Sequence, residues 1–497
     1  MLRRLTELQY ANTIRIALGG YVTELSLPQF NDDVVKIGLG NDPNLLRISP
    51  RNIDSIYQST LALAQASLDA NDSVRECVAA TDDQCFVSLA RELGRVLWRR
   101  PLTAAEMTDL EARRSNVAQA TGTRAEQATF ILQALLMSPH TFYRRELGSL
   151  VESDLRLDDL ELASALSYTL WNEPPDEELY ALAEQQALSN SAELTRQAAR
   201  MSRDPRFLDA LTEFYIDYLK LGSLASVPKG PELGLTVSAR ASLLQSVRVG
   251  IRGALAKPGA TVLAPFTSDV FHINDAIAGF FGTQRTSDTL VEMKLDTSQR
   301  FGVLSHPAFL AVHSSELGSG IVRRGVFTLE QLLCVHLGAP PAELTPSDDV
   351  PEGFDPERTT TREVLRIQHS SQAACSGCHR VIDPAGYGYE NYDGAGRFRT
   401  VEKESLRIDA SGALILSDET LSYSDSLDYL RALAASRALQ GCVAEHLLTY
   451  ALGDQADVHE GGFFVRELLA ANGDIARLAE LIVTSPSFST RNVSREQ

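Results

Sequence analysis

Methionine is scarce in this chain, at five residues in 497, and none follows Met293. Apolar runs are short as well, and none is long enough to cross a bilayer as a helix. The opening Met1-Leu-Arg-Arg leads straight into a polar amphipathic stretch, without the apolar segment that directs secretion. G-x-S-x-G, H-E-x-x-H, the Walker loop and the dinucleotide fingerprint are all missing, which removes the commonest signatures of hydrolase and nucleotide chemistry. Basic residues are outnumbered: 46 Lys and Arg against 65 Asp and Glu leave a formal charge of -19. That charge repels nucleic acid and anionic membranes and argues against both as partners, while it favours solubility and basic redox partners. Only two tryptophans occur, and Trp98 and Trp171 read as core anchors rather than sugar platforms. No tract is of low complexity.

What is present fits a soluble globular protein: 44% hydrophobic and 22% charged residues, and a length sufficient for three or four modules. One motif stands out. Cys375-Ser-Gly-Cys378-His379 reads C-x-x-C-H, the attachment sequence for a c-type haem. In that reading two thiols become thioethers to the haem, and His379 is the proximal iron ligand. Other chemistries use the same residues: a redox pair, although no βαβ pattern surrounds it, a plain disulfide, or a tetrahedral zinc site completed by His369. Haem c is attached outside the cytoplasm. This reading therefore expects an export segment that was removed or omitted, and a periplasmic, extracellular or cell-surface location. The remaining cysteines agree with an oxidising compartment. Cys77 and Cys85 flank a polar turn and are expected to pair, leaving Cys334 with Cys442.

The chain reads as mainly α-helical with little β. Thr6 caps a helix to about Leu18, Thr103-Ala-Ala-Glu106 is a capping box, and residues 125–137 carry apolar side chains at helical spacing before Ser138-Pro139. Further helices are expected near 159–171, 176–184, 191–202, 206–220 and 237–256. From about 260 to 425 the periodicity weakens. Arg324 to Val335 is expected as one helix, ended by Ala339-Pro-Pro341 and followed by an acidic, Pro-rich linker. Thr361 to His369 reads as a helix entering the motif, 404–423 as a short hairpin, and 426–437, 440–452, 460–470 and 474–484 as helices. Four modules follow: 1–122, 123–260, 261–423 and 424–497. Leu136-Met-Ser-Pro-His-Thr-Phe142 is echoed by Val483-Thr-Ser-Pro-Ser-Phe488, each with an Arg after it, which reads as a shared way of stopping a helix.

After the motif the chain continues Asp383-Pro-Ala-Gly-Tyr-Gly-Tyr-Glu-Asn-Tyr-Asp-Gly-Ala-Gly-Arg397. This resembles the haem module of a planctomycete-type, cytochrome-c-like multidomain family, also common in myxobacteria. The matching residues are Asp383, Pro384, Gly386, Glu390, Asn391, Asp393, Gly396, Phe398 and Arg399. Arg4 to Arg15, Trp98 to Thr103, Leu136 to His140, Leu162 to Trp171 and Thr449 to Gly453 resemble other modules of that family, with Asp454 where an Arg is usual. The resemblance implies one covalent haem c. Pro384 and Tyr387 would line it, Gly386 and Gly388 would admit it closely, and Arg324, Arg397 and Arg399, with Arg323, would neutralise its propionates. With no methionine after the motif, a histidine or an open position is expected opposite His379. His313, at a position often His-bearing in the family, is the first candidate and His369 the second. The expected function is a redox role, either electron transfer or peroxidase- or oxygenase-like chemistry, with a redox protein or a small molecule as partner. The alternatives are a structural or carbohydrate-associated binding protein with a non-catalytic haem, or a Cys/His zinc site in its place.

Overall fold

The computed structural model describes residues 2–20, 22, 27–28, 30, 39–42, 46–151, 154–284, 287–338, 355, 358–371, 373–403, 405–453 and 458–492. Ala339-Pro-Pro341, most of the linker after it, and Asp454 lie outside these residues. The fold is mainly helical, as the sequence predicts, with strands only in small sheets of two or three. Two compact units are present. The first comprises residues Met1–Ala210, Leu448–Gly461 and Ala479–Gln497, and the second Leu211–Leu447 and Gly462–Leu478.

In the first unit the helix Glu7–Leu18 starts as expected. Thr6 accepts from the Gln9 amide, and the Gln9 side chain takes the Thr6 amide in return. The helices Ile53–Ala70, Gln84–Trp98 and Arg124–Leu136 pack their apolar stripes into one core around Leu63, Phe86, Leu97 and Leu132. The repeated Ser-Pro sequence has one structural meaning. Both copies end an apolar helix, make a one-turn helix (Pro139–Phe142 and Pro486–Ser489) and enter a strand. Those strands carry Arg144 and Arg491, which both reach the buried Glu146, at 2.7 and 2.6 Å. Burial opposes the Glu146 charge, but Arg491 and Arg144 overcome it and hold its pKa down at about 2. Burial lowers Arg144 to about 10, still well above neutrality, so both partners are ionised at pH 7. The strand Thr490–Asn492 pairs antiparallel with Asp154–Arg156, which also pairs with Ser149–Val151. Cys77 and Cys85 are bonded, as expected.

In the second unit the expected hairpin is present, as Gly412–Ile415 against Thr420–Tyr423. The single helix expected from Arg324 is not. The α-helix runs Ile321–Phe327 and then widens into a π-helical turn, Thr328–Leu332. That turn delivers Cys334, at φ 52°, to its disulfide with Cys442. The helix Ile321–Phe327 packs against Ala373–Tyr387 at very short range. A Cβ on Gly325 would lie 2.2 Å from the Ile382 carbonyl oxygen, and one on Gly386 would lie 2.1 Å from that of Ile321. Two glycines facing each other's backbone allow this approach.

Candidate functional site

The C-x-x-C-H residues lie on the helix Ala373–Tyr387. Positions 375, 378 and 379 differ by three and four, so all three side chains share one helix face. Neither cysteine is in a disulfide, and Cys378 is exposed while Cys375 is half-buried. His379 is half-buried and carries its own support one turn further on. Its Nδ1 lies 2.9 Å from Asp383 Oδ1. The other oxygen, Oδ2, holds His369 Nδ1 at 2.6 Å. One buried carboxylate thus binds two imidazoles, whose rings stack at 3.5 Å with an interplanar angle of 26°.

The helix Thr361–Ser371 brings His369 to this point, and it is clamped from both sides. Glu402 accepts from the Thr361 amide at 2.8 Å and from its hydroxyl at 2.6 Å, capping the helix start. Arg362 donates to the carbonyls of Asp409 and Ser411 and lies over the Tyr387 ring, 4.3 Å from its centroid. Burial raises the Tyr387 phenol well above its ordinary pKa, so it stays protonated. Pro384 sits inside the motif helix, and the Tyr423 hydroxyl donates to its carbonyl.

Several residues expected near a bound ring are committed elsewhere. Arg324 is fully buried and gives its guanidinium to the carbonyls of Leu310, Tyr389, Tyr392 and Asp393. Arg397 bonds Asp393 at 3.2 Å and the Leu233 carbonyl at 2.6 Å, and Arg399 lies 3.5 Å from Glu390. Arg323 reaches the Ser314 carbonyl at 3.4 Å. Arg324, Arg397 and Arg399 thus tie down the Tyr389–Arg399 segment, and Arg324, wholly buried, is not open to the propionate expected for it. Gly386 faces Ile321, and Gly388 faces the Tyr429 ring, so both glycines serve protein packing rather than approach to a cofactor.

The two candidates for the position opposite His379 are not equivalent. His313 is buried among Phe309 and Phe327, and its Nε2 lies 2.9 Å from the Leu219 carbonyl. Burial lowers its pKa to about 3, so the ring is neutral and donates that bond. The close donor group around His379 contains His369 and Asp383, and neither His313 nor either thiol belongs to it. His369 is close, but on the wrong axis. An imidazole binds a metal in its own plane, through the nitrogen lone pair. Stacking places His369 along the normal to the His379 ring, beside that imidazole rather than in line with its nitrogens.

The donor set fits a covalently attached haem. Two cysteines outside any disulfide and one imidazole share a face, and among the described residues no hydrogen bond occupies His379 Nε2. Asp383 supplies what a metal-binding imidazole ordinarily has, a carboxylate on its other nitrogen. The sequence held a signal for it, an Asp four residues after the His on one helix. The Glu402 cap and the Arg362–Tyr387 contact, formed between residues 25 to 41 positions apart in the chain, had none.

Comparison with known families bears on the same segments. Residues 300–402 match PSCyt3, described as a protein of unknown function (DUF1588). Residues 157–283 match PSD4, described as a protein of unknown function (DUF1592). The chain carries both domains. They are planctomycete-type domains associated with cytochrome c. By its bounds the PSCyt3 segment spans the C-x-x-C-H helix, the Arg324 strut and the Tyr389–Arg399 loop. The PSD4 segment holds the helices from Asp159–Leu170 to Ala278–Phe281. No curated protein and no solved structure matches the chain. Among the described residues no helix is long and apolar enough to cross a membrane.

Proposed function

We propose that the Ala373–Tyr387 helix carries one haem c, bound through Cys375 and Cys378 with His379 as proximal ligand, and that the protein has a redox role outside the cytoplasm. The observation that carries this reading is the Asp383 bridge. It holds His379 through Nδ1, leaves Nε2 to bind iron, and sits on the same helix as two cysteines outside any disulfide. When bound, such a haem supplies one-electron chemistry and a position for oxygen- or peroxide-type ligands. The protein's part is orientation. Asp383 fixes the imidazole and makes it a stronger donor, while Tyr387 and the clamped Thr361–Ser371 helix hold the surrounding face.

His313 is held by Leu219 and His369 stands beside His379, so neither is the natural sixth ligand. We therefore propose an exchangeable ligand there, which favours a small-molecule substrate over simple electron carriage.

The test is expression with the haem-attachment machinery in an export-competent host. After denaturation the chain should keep its Soret band and the mass of one haem. The folded ferric protein should be high-spin and shift on adding cyanide. Stoichiometric zinc with no haem would overturn the assignment, and a low-spin spectrum indifferent to cyanide would overturn the open position.

A further inference from the structure

Cys442 and His446 stand one turn apart on the same face of the helix Arg437–Leu452. Cys334 reaches the same point from the end of the π-helical turn Thr328–Leu332, with its backbone in the left-handed region that residues other than glycine rarely adopt. π-Helical turns of this kind are frequent at functional sites. The two cysteines form a disulfide, and His446 lies directly against it. His446 Nδ1 is 3.6 Å from Cys442 Sγ and 3.8 Å from Cys334 Sγ. The ring is held in place by the Tyr218 ring, with centroids 5.0 Å apart, and by the Cys442 carbonyl, which accepts from Nδ1 at 2.9 Å. Tyr218 is itself anchored, donating its hydroxyl to the Gln331 carbonyl at 2.6 Å. Burial lowers the His446 pKa, which keeps the ring neutral, the form that binds cations.

These distances can be compared with those of a metal centre. Tetrahedral zinc, with bonds of about 2.3 Å to sulfur and about 2.0 Å to nitrogen, sets sulfur–nitrogen edges of about 3.5 Å and a sulfur–sulfur edge of about 3.8 Å. Both sulfur–nitrogen separations already fall within a few tenths of an ångström of that edge. Only the two sulfurs must part, and breaking their bond is what lets them. We propose that the Cys334–Cys442 disulfide is the oxidised form of a redox-gated metal site, in which both thiolates and His446 Nδ1 hold a thiophilic cation such as Zn2+ after a dithiol has opened the bridge.

The chemistry balances. The bridge takes two electrons and two protons from the dithiol, which itself becomes a disulfide. Cation binding then releases both thiol protons, the His446 proton moves from Nδ1 to Nε2, and a water takes the fourth position. A permanent structural disulfide needs no imidazole against its sulfurs at these distances.

The test uses the full chain with Cys77→Ser, Cys85→Ser, Cys375→Ser and Cys378→Ser, so that only Cys334 and Cys442 can give thiolate absorption. Co2+ is the probe. After phosphine reduction and anaerobic desalting, the protein should bind one Co2+ per chain with thiolate-to-cobalt charge-transfer absorption. The oxidised protein should not. Second-sphere partners alone change metal affinity about 10–100-fold, so adding His446→Ala should weaken binding by at least about tenfold while circular dichroism is kept. The proposal is overturned if reduction gives no thiolate–cobalt band, or if His446→Ala leaves the affinity unchanged. It is also overturned if reduction collapses the circular dichroism to that of an unfolded chain, since the bridge is then purely structural.

Discussion

Asp383 is the residue on which the candidate site turns. A carboxylate that binds two imidazoles through Nδ1 fixes both rotamers. Replacing it by Ala removes both anchors without touching a proposed iron ligand. In haem-loaded Asp383→Ala protein, added imidazole should displace His379 about 10–100-fold more readily than in the parent, read from the shift of the Soret band. Unchanged displacement would leave Asp383 no positioning role. At this scale the sequence was a partial guide. Cys375, Cys378 and His379 were legible as a motif, because a motif is a matter of spacing alone. Arg324 was misread because a guanidinium suits a propionate and a backbone carbonyl equally well. Only the fold shows that Arg324 is wholly inside, spent on four carbonyls.

Among the elements, the close pairing of Ile321–Phe327 with Ala373–Tyr387 is the most demanding contact, because each helix presents a glycine to the other's carbonyl. A methyl group at Gly386 would meet the Ile321 carbonyl oxygen at 2.1 Å, backbone that cannot swing aside, as well as Ile321 Cγ2 at 2.8 Å. Gly386→Ala should therefore destabilise by at least about 1–3 kcal/mol, seen as a lower midpoint in chemical denaturation, with Gly377→Ala on the same helix as a milder control, since nothing lies within 4 Å of its position. Helix starts were the most legible part of this fold. Thr6, Thr103, Asp158 and Asp176 cap where their side chains fall in the sequence, since a cap is a contact over three residues. The widening at Thr328–Leu332 was not legible. No proline or glycine lies between Thr328 and Leu333 to announce it, and the turn ends where Cys334 must meet Cys442, a constraint set 108 residues away. The strand pairings were missed for a related reason, since Leu2–Arg4 and Thr490–Asn492 are three residues long and show no alternation.

For the molecule as a whole, Glu146 joins distant parts of the first unit, since its partners are Arg144 beside it and Arg491 near the far end of the described chain. Its depressed pKa adds stability that is fully present above the ordinary value of 4.5 and is lost as the pH falls through about 2. Glu146→Gln should cost about 3–5 kcal/mol at pH 7 by leaving buried arginines without their anion, and its deficit relative to the parent should shrink as unfolding is followed down toward pH 2. A deficit independent of pH would mean the pair matters only for packing. The same pairing also sets a schedule for synthesis. Asp154–Arg156 leaves the ribosome more than 300 residues before Thr490–Asn492, the strand that completes its sheet. At about 5–20 residues per second this is a wait of roughly 20–70 s. Throughout that interval the pair of strands Ser149–Val151 and Asp154–Arg156 leaves the edge of Asp154–Arg156 open to any other extended chain, so a chaperone acting on this protein has the most to protect before the strand Thr490–Asn492 is made.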